Sequence, residues 1–359
     1  MSSSETAATT TVLVVDDSIF MRRMVADMIA RFPGFHVVGT SADGQEALRD
    51  IERLDPDVVT LDIEMPRLDG FGVLERVMRS RPRPIVVLSA HTEAGSGATL
   101  RALDLGAVDF VPKPSGPISF DLAKVEAQLY KALQAAAAAD LQALLRERGR
   151  GRVAPPPALT ASREAVVAIA ASTGGPRALS SILAAFPAEL GASVLIVQHM
   201  PAGFTSTLAA RLDEISPLPV SEPGGGEEVM ANHVWIAPGD FHMRLRRVGP
   251  TVTIALDQRD PIWGTRPAAD ALFPSVAEVY GERAVGVVLT GMGGDGAAGL
   301  AAILAVGGRT LAQDEASSVV FGMPGRAMAL GAVERVVSLP EIPAAIVAAL
   351  ASLPSMRSR

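Results

Sequence analysis

The sequence predicts a two-domain α/β protein, and three observations carry that expectation. Short β-branched runs alternate with helix-length amphipathic stretches over the first 113 residues, a Pro-rich break follows, and the alternation then restarts. Strand and helix alternating at this spacing build parallel sheets, because each parallel crossover needs a connection the size of a helix. Composition agrees: 48% of the 359 residues are hydrophobic but only 4% aromatic, so the cores must be packed from Ala, Val, Leu and Ile. Strands covered on both faces read as continuous apolar runs of that kind.

In the first domain, residues 11–15, 35–38, 58–61, 85–88 and 108–111 read as the strands of one five-stranded parallel sheet. Residues 20–30 and 44–53 are amphipathic helices between them. Lys113-Pro114 and Pro117 punctuate its end, and residues 119–148 read as one helix ending in an Ala-rich, charged stretch. Gly151 and Pro155-Pro156-Pro157 cannot continue that helix, so residues 149–162 are expected to be extended. The expected division is 11–131 for the first domain, 132–163 for the linker and 164–353 for the second domain. In the second domain, residues 166–170, 193–198, 285–289 and 310–313 are the expected strands of a mainly parallel sheet. Residues 233–238 and 243–256 read as shorter strands in a hairpin excursion.

Several function classes are excluded early. A net charge of −7 gives no general attraction to nucleic acid or anionic lipid, and the second domain has neither a basic face nor a helix-turn-helix pattern. The absence of cysteine removes disulfides, thiolate chemistry and Cys-ligated zinc. Residues 1–11 lack the basic-plus-apolar pattern of a signal peptide, and no run of about 18 apolar residues occurs. A cytoplasmic protein with no membrane insertion is expected.

Ligand sites in open parallel sheets lie outside the carboxyl ends of the strands. In the first domain those ends carry Asp16-Asp17, Asp62, Ser89 and Lys113. Three carboxylates gathered there repel one another unless a hard cation sits among them, and an all-oxygen site suits Mg²⁺. A hydroxyl and an ammonium opposite them suit the oxygens of a phosphoryl group. Any one of these acids taken singly reads as a solvated loop group or helix cap. As a set they resemble the receiver domain of two-component response regulators. Val14-Val15-Asp16-Asp17-Ser18, Leu61-Asp62-Ile63-Glu64-Met65-Pro66 and Val111-Pro112-Lys113-Pro114 match that family's three signatures in order and spacing. The resemblance implies a flavodoxin-like fold in which Asp62 accepts the phosphoryl group. It also implies that Asp17 with Asp16 organises Mg²⁺, that Glu64 ligates it through its main-chain carbonyl, and that Ser89 and Lys113 sense the phosphoryl group. Phe110 occupies the place of the family's switch aromatic, and reads equally as a core residue.

In the second domain the apolar run 166–171 delivers Ser172 to Thr173-Gly174-Gly175-Pro176, a tight turn into a helix. Such a turn exposes a hydroxyl and backbone amides together; taken alone, Ser172 reads more readily as a cap than as a nucleophile. Ala170 precludes a Gly-x-Ser-x-Gly elbow. His199 ends the next strand, where a general base is well placed. A third strand feeds Thr290-Gly291-Met292-Gly293-Gly294-Asp295-Gly296, in which Asp295 reads as a helix cap or as the group orienting His199. No Lys-Ser/Thr follows those glycines, so a phosphate-binding loop is disfavoured. Ser, His and Asp at three strand ends suggest a serine hydrolase.

The segments 171–176, 197–201 and 289–296 also closely resemble the signatures of the chemotaxis-receptor protein-glutamate methylesterases, and Ile236-Ala237-Pro238-Gly239 and Val320-Phe321-Gly322-Met323-Pro324 look like two more. The likeness spans residues 164–350 in order, and the receiver-linker-esterase arrangement matches as well. One departure is Arg266-Pro267-Ala268, with Ala where relatives usually carry Ser. The resemblance implies Ser172 as nucleophile, His199 as base, Asp295 as orienting acid, the Met292 amide as oxyanion donor, and Thr173 positioning His199 or substrate. It further implies hydrolysis of γ-glutamyl methyl esters on methyl-accepting chemotaxis receptors, with deamidation of receptor glutamines in several relatives. No cofactor is implied for ester hydrolysis. A chemotaxis sensor histidine kinase would supply the phosphoryl group, and the unphosphorylated receiver would obstruct the esterase. Two alternatives stay open: a non-enzymatic, receptor-binding scaffold, and the same esterase serving a chemosensory system other than swimming.

Overall fold

A computed structural model describes residues 9–90, 93–113, 122–148, 154–159 and 164–354. The chain falls into two compact units divided between Leu141 and Gln142.

The first unit runs β1 (Thr10–Val15), α1 (Ile19–Ile29), β2 (Phe35–Ser41), α2 (Gly44–Leu54), β3 (Val58–Asp62), α3 (Gly70–Ser80), β4 (Ile85–Ser89), α4 (Glu93–Asp104), β5 (Asp109–Pro112) and α5 (Leu122–Ala137). Its sheet has the order β2-β1-β3-β4-β5, and every pairing is parallel. All five expected strands form, each within a few residues of its expected ends. Val12 to Val15 are completely buried, which is why they read as an uninterrupted apolar run. Helix starts are set by side chains that satisfy otherwise unpaired amides: Asp43 accepts from Gln45 and Glu46 at α2, and Asp69 accepts from Gly72 at α3. The strand order reverses between β1 and β3, so a crevice opens beyond their carboxyl ends.

The division falls after the first residue of α6 (Leu141–Arg148), and the second unit continues β6 (Ala165–Ala171), α7 (Gly175–Ala184), β7 (Ala192–Gln198), α8 (Phe204–Ile215), β8 (Val220–Ser221), β9 (Val234–Ile236), β10 (His242–Val248), β11 (Thr251–Asp257) and α9 (Ala269–Tyr280). It ends with β12 (Ala284–Val288), α10 (Ala297–Ala305), β13 (Arg309–Gln313), α11 (Gly322–Ala329), β14 (Arg335–Val337) and α12 (Ile342–Ser352). Its seven-stranded sheet has the order β14-β13-β12-β6-β7-β9-β8, again with parallel pairing throughout. β6 and β7 lie at its centre and are buried along their whole length. The order reverses between β6 and β12 and opens a second crevice at their carboxyl ends.

Two expectations are corrected. Residues 119–148 do not form one helix: α5 stops at Ala137 and α6 starts at Leu141. Asp140 precedes α6, and Asp favours the non-helical conformation of a helix's flanking residue. Residues 233–238 do not belong to the hairpin, because β9 pairs with β7 and β8 inside the main sheet. The hairpin is β10 with β11, antiparallel from His242–Asp257 to Val248–Thr251. Two short strands, β8 and β14, were not foreseen, since two or three residues carry no periodicity. Pro114, Pro117, residues 119–121 and much of the 149–162 stretch lie outside the described residues; residues 154–159 carry neither helix nor strand. Among the described residues no helix is long and apolar enough to cross a membrane.

Candidate active site and acidic pocket

β1 delivers Asp16 and Asp17 to the crevice of the first unit, and β3 ends on Asp62. Asp16 and Asp62 are buried while Asp17 is exposed, and one oxygen of each lies within 4.8 Å of the others. Lys113, just after β5, places its Nζ 2.9 Å from Asp16 Oδ2 and 2.7 Å from Asp62 Oδ2. Burial pushes the Asp62 carboxyl up to about 6, the Lys113 bond and charge pull it down, and the Asp16 charge pushes it up again. Burial also opposes the Lys113 charge, but the two carboxylates outweigh burial and raise its pKa. Three carboxylates with no nitrogen or sulfur ligand among them fit a hard divalent cation. Glu64 is exposed, and its amide donates to Asp62 Oδ1 at 3.3 Å. A Cβ on Gly70 would come 2.2 Å from the Asp62 carbonyl oxygen, so glycine lets the start of α3 press onto the end of β3.

Ser89, at the end of β4, is turned toward α4. Its Oγ lies 2.5 Å from Thr99 Oγ1, and the two hydroxyls lie 3.1 and 2.8 Å from the Gly95 carbonyl oxygen. Phe110 is buried in β5, as a core residue would be.

In the second unit β6, β7 and β12 are neighbours, and the three candidate residues follow their carboxyl ends. His199 Nε2 lies 2.7 Å from Asp295 Oδ2. Asp295 also accepts from the amides of Ala269 at 2.6 Å and Asp270 at 2.9 Å. Those are the first amides of α9, whose own flanking residue, Ala268, has no side chain able to cap it. Both sequence readings of Asp295 are therefore realised together: it contacts the histidine and it caps a helix, although the helix is α9 and not the one that follows it in sequence. Burial pushes its carboxyl up, but the His199 bond and charge and the two amides outweigh burial and hold it below the ordinary range. With Nε2 turned to Asp295, Nδ1 is the nitrogen left to take a proton.

Ser172 is fixed through its backbone. Its amide donates to Thr290 O at 3.0 Å, and its carbonyl accepts from Gly175 N at 2.7 Å and Gln198 Nε2 at 3.0 Å. Gln198 Nε2 also reaches His199 O at 3.3 Å, so one buried amide ties the Ser172 and His199 backbones together. A Cβ on Gly175 would lie 2.0 Å from Gln198 Oε1, and one on Gly291 would lie 2.6 Å from Ser172 Cβ. Both glycines are needed for close approach. Ser172 Oγ makes no hydrogen bond among the described residues; such contacts often tighten only with substrate present. The Gly291 carbonyl accepts from Gly322 and Met323, while the Met292 and Gly293 amides donate to no described group. The Gly291 amide in turn donates to Val320 O at 2.9 Å, so residues 320–323 hold the Gly-rich turn in place while the Met292 and Gly293 amides stay unspent. Thr173 is buried, and its carbonyl accepts from Thr290 Oγ1 at 3.0 Å. Gly239 donates to Thr205 Oγ1 at 2.9 Å, and a Cβ there would meet the Ala202 amide nitrogen at 2.4 Å, so the 236–239 segment secures the loop after His199.

Both units resemble known proteins. The CheB methylesterase family model matches residues 167–346, and the response regulator receiver domain model matches residues 12–122. A protein-glutamate methylesterase/protein-glutamine glutaminase of Symbiobacterium thermophilum is 46% identical over 360 residues, covering 94% of this chain and 96% of the relative. The chain belongs to the CheB methylesterase family. A relative of the same name from Pyrococcus horikoshii is 44% identical over 94% of this chain and 93% of its own. The crystal structure of the Thermotoga maritima CheB methylesterase catalytic domain is 42% identical, has a TM-score of 0.51 and covers 51% of this chain and 97% of its own. The two family matches thus fall one on each unit, the receiver domain on the first and the methylesterase domain on the second.

Sequence reasoning missed the supporting residues of this site. Gln198 and Thr290 lie inside segments whose pattern was recognised, yet nothing in spacing says that a glutamine side chain holds two carbonyls. Gln313 accepts from Thr290 N at 2.9 Å across 23 residues of sequence, and no local signal announces it.

Proposed function

We propose that this chain is a serine hydrolase that removes γ-methyl esters from receptor glutamates, and amides from receptor glutamines, under control of phosphorylation at Asp62. The observation that carries the reading is the His199–Asp295 pair at 2.7 Å beside the Ser172 turn, at the point where the strand order reverses. Ser172 Oγ attacks the γ-carbonyl carbon while His199 Nδ1 takes the hydroxyl proton. Asp295, kept anionic by α9's amides, holds the proton on Nε2 and stabilises the imidazolium that forms. The Met292 amide, which has no partner among the described residues, faces the developing oxyanion. His199 returns its proton to the leaving methoxide, or to the leaving amine of a glutamine, and methanol or ammonia departs. Water then attacks the acyl-enzyme with the same histidine as base, which frees the glutamate and Ser172. Thr173, buried next to Ser172 in the chain, positions the histidine or the substrate.

In the receiver, Asp62 takes the phosphoryl group from a chemotaxis sensor histidine kinase. Asp16, Asp17 and Asp62, with the Glu64 carbonyl, would hold Mg²⁺, which supplies charge neutralisation to the phosphoryl oxygens when bound. Lys113 exchanges its bond to Asp62 for one to the phosphoryl group, which adds about −1.5 to −2 charges. Ser89 then leaves Thr99 and Gly95 for a phosphoryl oxygen, and α4 loses that anchor. Moving a two-state equilibrium from about 1:99 to 99:1 takes about 5.5 kcal/mol, so a local exchange of bonds yields partial activation. Substrates are methyl-accepting chemotaxis receptors.

The test is methanol release from methylated receptor membranes, with and without a small-molecule phosphodonor. Release stimulated by phosphodonor and lost in Ser172→Ala is the expected result. Wild-type protein that releases no methanol would favour the scaffold alternative.

A further inference from the structure

Trp263 stands out in the second unit on three counts. It is 54% exposed, it is not a surface residue of a helix or strand, and its backbone is left-handed at φ +55°. It lies in the loop between β11 and α9. Ile262 N donates to Thr265 O at 3.1 Å and Thr265 N to Ile262 O at 3.0 Å, so Trp263 and Gly264 are the two central residues of a tight hairpin turn. Gly264 also has positive φ, at +67°. A turn with both central residues left-handed strongly favours Asn followed by Gly, and a bulky aromatic there is strained. Strain of this kind persists where the surroundings hold it, and it clusters at functional sites.

Here the surroundings do hold it. Trp263 Nε1 donates to Asp270 Oδ2 at 2.9 Å, and Asp270 Oδ1 accepts from Gly299 N at 2.8 Å. The indole therefore has a fixed orientation. Its ring leans over the catalytic turn: a Cβ on Gly294 would lie 3.4 Å from Trp263 Cη2 and 3.0 Å from Arg326 Cγ. Gly294 directly precedes Asp295. Thr265, at the other end of the hairpin turn, has its Oγ1 3.5 Å from His199 Nε2. Arg326 is exposed, and its guanidinium enters no ion pair among the described residues. The indole ring and the Arg326 side chain thus both lie against Gly294, next to Asp295.

Resting on the methylesterase reading, we propose that Trp263 and Arg326 grip the receptor polypeptide flanking the esterified glutamate. Trp263 covers an apolar side chain of the segment, and Arg326 pairs with a neighbouring carboxylate. Half-exposed aromatics and arginines are the residue types that concentrate binding energy at protein interfaces. The grip acts on polypeptide substrates and gives small esters little to hold.

The full chain separates this from a structural role. Trp263→Asn puts the favoured residue at the strained position, so its thermal midpoint should equal or exceed that of wild type. Its KM for methylated receptor membranes should nevertheless rise at least tenfold with kcat within about threefold. The loss should exceed that on N-acetyl-glutamate γ-methyl ester by at least tenfold. Trp263→Phe should recover most of the receptor affinity, and Arg326→Gln should raise the receptor KM with a shallower salt dependence. A second readout needs no turnover. The chain has two tryptophans, and Trp235 is buried, so Trp263 reports its own surroundings in a Ser172→Ala background. Receptor membranes should shift its emission to the blue. An unchanged receptor KM in Trp263→Asn, equal losses on both substrates, or emission indifferent to receptors overturns the proposal. Wild type inactive on both esters fails the methylesterase reading itself; wild type active on both with the variants unaffected fails only the grip.

Discussion

Asp62 and Asp295 are both buried acids beyond the carboxyl end of a parallel strand, yet their surroundings drive them in opposite directions. Asp295 sits at the first amides of α9 with His199 beside it, and its carboxyl is held below the ordinary range in spite of burial. Asp62 has one lysine, shared with Asp16, and burial together with the Asp16 charge carries it up to about 6. The difference lies in what supplies the compensation. Fixed backbone amides cannot leave, so Asp295 is kept as an anion, which is what the orienting role proposed for it requires. Asp62 is compensated by a mobile side chain and lies among like charges, so a cation or a covalent change at its oxygen relieves it. One carboxylate is finished by the fold and the other is left for chemistry to finish.

The largest expected effect tests the finished acid. Asp295→Asn should lower kcat for ester hydrolysis by about 10³–10⁴, the scale of the corresponding change in serine hydrolases with a triad. Asp62→Asn, by contrast, should erase stimulation by phosphodonor. Turnover in Asp295→Asn near the wild-type rate would remove Asp295 from the mechanism.

Next come the glycines that allow close approach in each unit. Gly291→Ala drives a methyl into Ser172 Cβ and Met323 Sδ, and should cost about 10²-fold in kcat because it displaces the nucleophile. Gly70→Ala drives one into the Asp62 carbonyl, and should destabilise the receiver by about 1–3 kcal/mol, read by calorimetry of the full chain.

A smaller effect concerns the strained acid. Its folded pKa of about 6 lies above the ordinary aspartate value of 3.8, so ionisation at neutral pH disfavours the folded receiver by about 2–3 kcal/mol. In EDTA, receiver stability should rise as pH falls through about 6 and level off near pH 4. Asp62→Asn should be more stable than wild type at pH 7 and lack this dependence. A flat wild-type profile would mean that Lys113 compensates Asp62 fully. The smallest effect is Thr99→Val, which removes a partner of Ser89 and should raise unphosphorylated activity by no more than about fivefold.

Much of the fold was legible because parallel strands are written in short apolar runs and are punctuated by the residues of the turns that follow. The 166–170 expectation became Ala165–Ala171, and Asp62, Ser172 and His199 stood out because each follows such a run. The hairpin was half read: β10 and β11 carry alternating patterns, but β9 is three residues long and its place in the sheet is a long-range matter. Helix α6 was merged with α5, since both segments are rich in helix formers and only Asp140 marks the break.

By itself the sequence determined two parallel α/β units, the strand ends that bear reactive groups, and the family. Local patterns and short motifs encode these because a strand, a turn and a helix start depend on residues close together. Tertiary structure alone decided that Asp295 caps α9, that Gln198 and Gln313 brace the turns at Ser172 and Thr290, and that a strained tryptophan leans over Gly294. These depend on which elements the sheet order brings side by side, and a bond between residues tens of positions apart leaves no periodic trace.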